Sequence, residues 1–294
     1  MTVTTTYSPT TAKMQYVDAG STRYAYRRIG TQKGTPLVLV HRFRATIDWW
    51  DPAFIEALAD ERDVIMFDNV GIGYTVGAPM DTVEAYALGA VAFIEALGLQ
   101  QVDLLGWSFG GVVAQDIALQ RPDLIRKLIV AGSGSGSAPG MPAMGERVAN
   151  IMLKPGTAVE DALYLFYPET DAAQAKGVEH FSKIAADMPA SAPIVTQEAA
   201  MGQLAAITAT LSAPWEQVVA NLKKITLPVL YANGAHDVMI DAFASYAAVQ
   251  ELPNAKLILY SDAGHAFLFQ HLEEFTVEVK TFLRDKVAAA ANPQ

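Results

Sequence analysis

The chain has 294 residues, room for one large core with a sizeable insertion, and 51% of them are apolar, which excludes a disordered chain. The absence of cysteine excludes disulfides, thiolate nucleophiles and thiolate metal sites, and a formal net charge of -10 disfavours nucleic-acid phosphates and anionic lipid as partners. No apolar run reaches the roughly 18 residues of a membrane-spanning helix. The start, Met1-Thr2-Val3-Thr4-Thr5-Thr6, has neither the basic nor the apolar part of a secretory leader, so a cytoplasmic protein that binds neither membranes nor nucleic acid is expected.

Two alternating segments, around Met14 to Val17 and Tyr24 to Arg28, predict an antiparallel edge. Six nearly continuous apolar runs follow: Leu37 to Val40, Val64 to Phe67, Val102 to Leu105, Leu128 to Ala131, Val229 to Ala232 and Leu257 to Tyr260. Such runs are buried on both faces, as strands of a parallel sheet are. Helical patterns lie between them. Asp51 caps one with Pro52 at its first position and Phe54, Ile55 and Leu58 on its apolar side; others cover Thr82 to Leu97, Phe109 to Gln120 and Leu272 to Val287. Residues 133–222 have helical periodicity and no strand, which predicts a helical cap inserted into a core of 1–132 and 223–294. The glycine- and serine-rich stretch Gly132 to Gly140 reads as the flexible entrance, Pro228 marks the return to the sheet, and Ala288 to Ala291 reads as a fraying helix tail.

The chemistry starts at Gly106-Trp107-Ser108-Phe109-Gly110-Gly111. Chance alone supplies a Gly-x-Ser-x-Gly in about one chain of this size in ten. Here it directly follows an apolar strand and opens a helix, the strand, sharp turn and helix that expose a serine nucleophile. Glycines two before and two after Ser108 let backbones crowd together, and the helix start favours negative charge developing at the hydroxyl.

Serine needs a base and a carboxylate to orient that base. His265, in Ala263-Gly264-His265-Ala266, follows the last strand and so lies at the same sheet edge as Ser108; His41, His180 and His271 are less well placed. Asp237, in Asn233-Gly234-Ala235-His236-Asp237, likewise follows a strand, whereas the residues after Ala131 offer no acid and Asp262 is too close to His265 in one tight loop to address its ring from behind. The order Ser108, Asp237, His265 is the order of this architecture.

Together with Asp68-Asn69-Val70-Gly71-Ile72-Gly73, these motifs resemble the α/β-hydrolase fold family over essentially the whole chain. The resemblance implies an α/β fold with an eight-stranded, mostly parallel sheet flanked by helices and a helical cap after strand six. It also implies two oxyanion donors, the backbone N–H groups of Phe109 and Phe43. The loop carrying Phe43 departs from the family pattern, with His41-Arg42-Phe43-Arg44 where His-Gly is usual. Arg42 or Arg44 is expected to pair with a nearby acid or to reach a substrate oxygen, and His41 to brace the loop.

Other readings fare worse. In Gly71-Ile72-Gly73-Tyr74-Thr75-Val76-Gly77 the third glycine comes one residue late for a dinucleotide fingerprint, and Pro79 stands where the helix should run. No close metal-ligand spacing is present, so no cofactor or metal is expected. Serine at the elbow excludes an aspartate nucleophile, and a complete set of three argues against a non-catalytic receptor. The expectation is hydrolysis of a carboxylic ester or lactone through an acyl-enzyme, with cofactor-free perhydrolysis, carbon–carbon bond, amide or cyanohydrin cleavage as alternatives on the same residues. An apolar or aromatic substrate of medium size is expected against Arg42, Trp107, Tyr167, Met239 and Phe267, with Met152, Leu163, Tyr164, Phe166, Met188, Met201, Leu204 and Trp215 as further candidates, in a monomer or small homo-oligomer.

Overall fold

Alternate residues of the apolar runs turn to opposite faces, so a sheet built from them needs cover on both sides. A computed structural model describes residues 12–284 and shows this arrangement. Along the chain come β1 (Gln15–Ala19), β2 (Thr22–Gly30), β3 (Leu37–Val40), α1 (Pro52–Ala59), β4 (Asp63–Phe67), α2 (Val83–Ala96), β5 (Val102–Trp107), α3 (Phe109–Gln120) and β6 (Ile125–Ala131). Five helices follow without a strand: α4 (Glu146–Leu153), α5 (Val159–Phe166), α6 (Asp171–Asp187), α7 (Gln197–Ser212) and α8 (Trp215–Leu222). The sheet resumes with β7 (Val229–Gly234), α9 (Ala242–Glu251), β8 (Ala255–Tyr260), α10 (Phe267–Gln270) and α11 (Leu272–Leu283). The end of the expected last helix beyond residue 284, with the Ala288 to Ala291 tail, lies outside the described residues.

The eight strands stand in the order β1-β2-β4-β3-β5-β6-β7-β8. β1 and β2 pair antiparallel, β2 meets β4 antiparallel, and the other neighbours run parallel. All six expected parallel strands and the antiparallel edge are present. Along β3, Val38 and Val40 pack with Phe67 and Phe93 on one face, while Leu37 and Leu39 pack with Trp50, Phe54 and Phe275 on the other. Asp51 starts α1 by accepting from the N–H groups of Ala53 at 2.8 Å and Phe54 at 3.2 Å, with Pro52 filling the position that has no donor to lose. Among the described residues no helix is long and apolar enough to cross a membrane.

Candidate active site

β5 delivers Ser108 through a turn that glycine makes possible by close approach. A Cβ at Gly106 would lie 2.2 Å from the Gly110 carbonyl oxygen, and one at Gly110 would lie 2.1 Å from that of Val40. Neither glycine has positive φ; Ser108 does, at φ 57°, ψ -123°. That strained residue is held by a hydrogen bond from its N–H to the Ala131 carbonyl at 2.8 Å and caps α3, whose amino end favours negative charge at the hydroxyl.

Asp237 follows β7 and His265 follows β8. Asp237 Oδ2 accepts from His265 Nδ1 at 2.6 Å, and both side chains are fully buried. The other oxygen, Oδ1, accepts from the N–H groups of Met239 and Ile240, each at 2.9 Å, which fixes the orientation of the carboxyl group. His265 Nε2 is buried and makes no hydrogen bond, to Ser108 Oγ included. The ring stacks on Trp107 at 5.8 Å, meets Phe166 edge-on at 5.4 Å, and a Cβ at Gly132 would come within 3.4 Å of it. Asp262 keeps away from His265: it is exposed and takes His271 Nε2 at 2.7 Å.

A cavity of about 1140 Å³ opens above Ser108 between the sheet and the inserted helices. Ser108, Phe109, Phe43, Asp237, Tyr167 and Met239 line it. Arg42, Trp107 and Phe267 do not, contrary to their expected contact with substrate. Trp107 is turned under His265, donating Nε1–H to its carbonyl at 3.3 Å. Phe267 opens α10 two residues past His265, so its ring points into the core and stacks on Tyr260 at 5.4 Å. Of the further candidates, Met152 and Tyr164 reach the cavity, and Leu163, Phe166, Met188, Met201, Leu204 and Trp215 do not. Sequence reasoning missed Met141 and Met144, which sit just past a stretch legible only as linker, and Ile207 and Leu211 one turn apart on α7.

The loop after β3 replaces glycine in an unexpected way. Arg42 stays at negative φ, and the left-handed residue is Arg44, at φ 54°. Neither arginine pairs with a carboxylate among the described residues, which corrects the expected ion pair. The Arg42 guanidinium lies over the rings of Phe166 at 4.9 Å, Trp49 at 5.1 Å and Trp107 at 5.5 Å, and burial pushes its pKa down to about 10. His41 Nε2 lies 3.4 Å from Asp68 Oδ1 without a hydrogen bond, and that oxygen accepts the Ile47 N–H at 2.9 Å. Asp68 Oδ2 accepts the Tyr74 N–H across Gly73, where a Cβ would lie 2.2 Å from that oxygen.

A second buried cluster couples the inserted helices to the core. The Tyr167 hydroxyl and His180 Nδ1 are 2.6 Å apart, and His180 Nε2 lies 3.6 Å from Asp51 Oδ2. Burial, with the charges of Arg42 and Lys183, pushes the His180 pKa down to about 3. The ring is therefore neutral near pH 7 and shares one proton-bearing nitrogen between its two sides.

The model of a family described as alpha/beta hydrolase fold matches residues 35–272. An alpha/beta hydrolase fold protein from Chitinophaga pinensis is 32% identical, with a TM-score of 0.85 over 95% of this chain and 100% of that one. RutD of Rhizobium rhizogenes, described as a carbamate hydrolase, is 29% identical over 80% of this chain and 87% of its own. The 2-hydroxymuconate semialdehyde hydrolase of Pseudomonas sp. CF600 is 28% identical over 87% and 89%. The chain belongs to the α/β-hydrolase fold family, as an enzyme of the hydrolase class.

Proposed function

We propose that the protein is a serine hydrolase that cleaves an apolar, uncharged carboxylic ester or lactone through an acyl-enzyme on Ser108. The observation that carries this reading is the His265 ring, bound at Nδ1 by Asp237 and bare at Nε2 although buried. A neutral ring held in that tautomer keeps the Nε2 lone pair free to take the proton of Ser108 as Oγ attacks the carbonyl. Asp237 orients the ring and stabilises the imidazolium that forms. The N–H groups of Phe43 and Phe109 receive the oxyanion; neither donates to a protein acceptor among the described residues. The alcohol leaves with the proton from His265, and water activated by the same ring releases the acid.

The inserted helices act in this reading as a cap that sets the substrate. The cavity lining is rich in Met, with Ile and Tyr beside it, and contains no Lys or Arg; His236 lies in it, and Glu169, Asp241 and Asp262 bring carboxylates to the wall. A substrate bearing its own carboxylate finds no lysine or arginine in this lining and meets like charges. Likeness to a 2-hydroxymuconate semialdehyde hydrolase favours carbon–carbon bond hydrolysis as the second reading.

The test is a panel of p-nitrophenyl butyrate, its carboxylate-bearing analogue p-nitrophenyl hemisuccinate, an aliphatic lactone, an aryl carbamate, a β-diketone, and peroxide with acetate, run beside Ser108→Ala. The neutral ester or the lactone should turn over fastest and lose nearly all turnover in Ser108→Ala. Ester turnover that survives that substitution sinks the nucleophile assignment, and a β-diketone preferred over every ester makes the second reading the right one.

A further inference from the structure

The peptide linking Phe43 to Arg44 is held at both polar ends by side chains. Its carbonyl, that of Phe43, accepts from Arg42 Nη1 at 2.8 Å. Its N–H, that of Arg44, donates to Gln203 Oε1 at 3.0 Å. Gln203 stands on α7, in the inserted helices, and is 4% exposed. The Arg44 guanidinium makes a second tie to the insertion, from Nη2 to the Lys154 carbonyl at the end of α4, at 2.6 Å. Arg44 has φ 54°, a left-handed backbone that residues other than glycine occupy only at a cost, so its surroundings must enforce it. Gln203 also borders, with His41 and Phe109, a small void behind the loop.

From these contacts we infer that Gln203 is a positioning residue for the oxyanion site, supplied by the inserted helices. The inference rests on the acyl-enzyme reading above. The left-handed backbone falls on Arg44, which has a side chain, and an acceptor from 159 residues away helps to hold it there. Release of the Gln203 bond frees Arg44 to relax to negative φ. The Phe43–Arg44 peptide then turns, and the Phe43 N–H on the adjoining peptide loses its aim. Because an oxyanion donor acts on the transition state more than on the ground state, the loss falls on kcat and not on KM.

The experiment measures kcat and KM on p-nitrophenyl butyrate, and inhibition by benzeneboronic acid, for the native protein, Gln203→Leu, Gln203→Met, Gln203→Glu and Ser108→Ala. Gln203→Leu should lower kcat at least about tenfold with KM within about twofold, since a misplacement of about 1 Å can cost about 100-fold. Boronate inhibition should weaken in parallel, because the tetrahedral adduct on Ser108 places an oxygen between the same donors. Gln203→Glu keeps an acceptor and should stay within about threefold of native kcat. If the leucine variant does not fold, Gln203→Met, flexible and of similar length, replaces it in the comparison. A kcat within about twofold of native in the leucine or methionine variant overturns the inference, as does an equal loss in Gln203→Glu, which would make the role one of packing. Ser108→Ala separates the two levels: its inactivity beside an unaffected Gln203→Leu removes this inference alone, whereas its retained turnover removes the acyl-enzyme reading and this inference with it.

Discussion

Asp237 holds His265 Nδ1 at 2.6 Å, while Asp262, three residues before that histidine, is turned outward to His271. Proximity in the chain and proximity in space thus select different acids. Asp237→Asn presents an amide where the ring requires an acceptor and inverts the tautomer, so kcat on a neutral ester should fall by about 1,000-fold or more. Asp262→Asn should leave kcat within about threefold, because it removes an exposed pair of small energetic weight. Steady-state kinetics on the two variants checks the assignment, and the reverse ranking would move the acid to Asp262.

Ser108 stores backbone strain for its geometry. Ser108→Gly should raise thermal stability while abolishing turnover, because glycine occupies φ 57° freely. Relief of about 1 to 2 kcal/mol, less the extra entropy glycine loses on folding, leaves a rise in Tm of about 2 °C. Calorimetry showing a lower Tm than native would mean the turn is not strained.

The glycines beside Ser108 are required for space. Gly106→Ala or Gly110→Ala drives a methyl into backbone carbonyls that cannot step aside, and each should cost about 3 kcal/mol or more. Gly98→Ala is an informative contrast, since its Cβ meets nothing within 4 Å and only its φ of 71° opposes the change. Urea denaturation should place Gly98→Ala well above both motif variants; equal midpoints would refute the packing account.

His180 ties stability to pH. Its pKa is lowered by burial and nearby cations to about 3 in the folded chain, against about 6.5 unfolded, so below that unfolded value the unfolded chain binds the proton more readily. The neutral ring's stability is complete above about pH 6.5 and is lost as pH falls toward 3, by up to about 1.4 kcal/mol per pH unit. His180→Gln, which keeps an acceptor for Tyr167, should therefore show a shallower fall in unfolding free energy between pH 6 and pH 4 than the native chain. Parallel slopes would place the titrating group elsewhere.

The sheet was legible because each buried strand announces itself as an unbroken apolar run, and Asp51-Pro52 marked the start of α1 through donors that any helix leaves open. Ser108, Asp237 and His265 could be read as candidates because each follows such a run, at the carboxyl edge of the sheet. Orientation was harder to read. Trp107 and Phe267 adjoin candidate catalytic residues in the chain, yet neighbours along a strand, or two residues on at a helix start, turn away from each other, and both rings face the core. Gln203 gave no signal: a glutamine in a helical pattern looks like any polar surface position until the fold brings it against Arg44. The arginine-rich loop was visible as a departure from pattern, but aromatic rings as the partners of Arg42 were hidden because Trp49, Trp107 and Phe166 come from three distant segments.

β6 and β7 are parallel neighbours, so the chain must leave one end of the sheet and return to the other to join them, whatever residues it uses. The five helices occupy that obligatory detour. The detour can be lengthened, shortened or rewritten without moving a strand out of register, so the cavity wall can change while the strand ends beside Ser108, Asp237 and His265 stay in place. The tie from α7 to the Phe43 loop limits that freedom at one point: a rewritten detour that drops the Gln203 acceptor leaves the Arg44 N–H without the partner it has here.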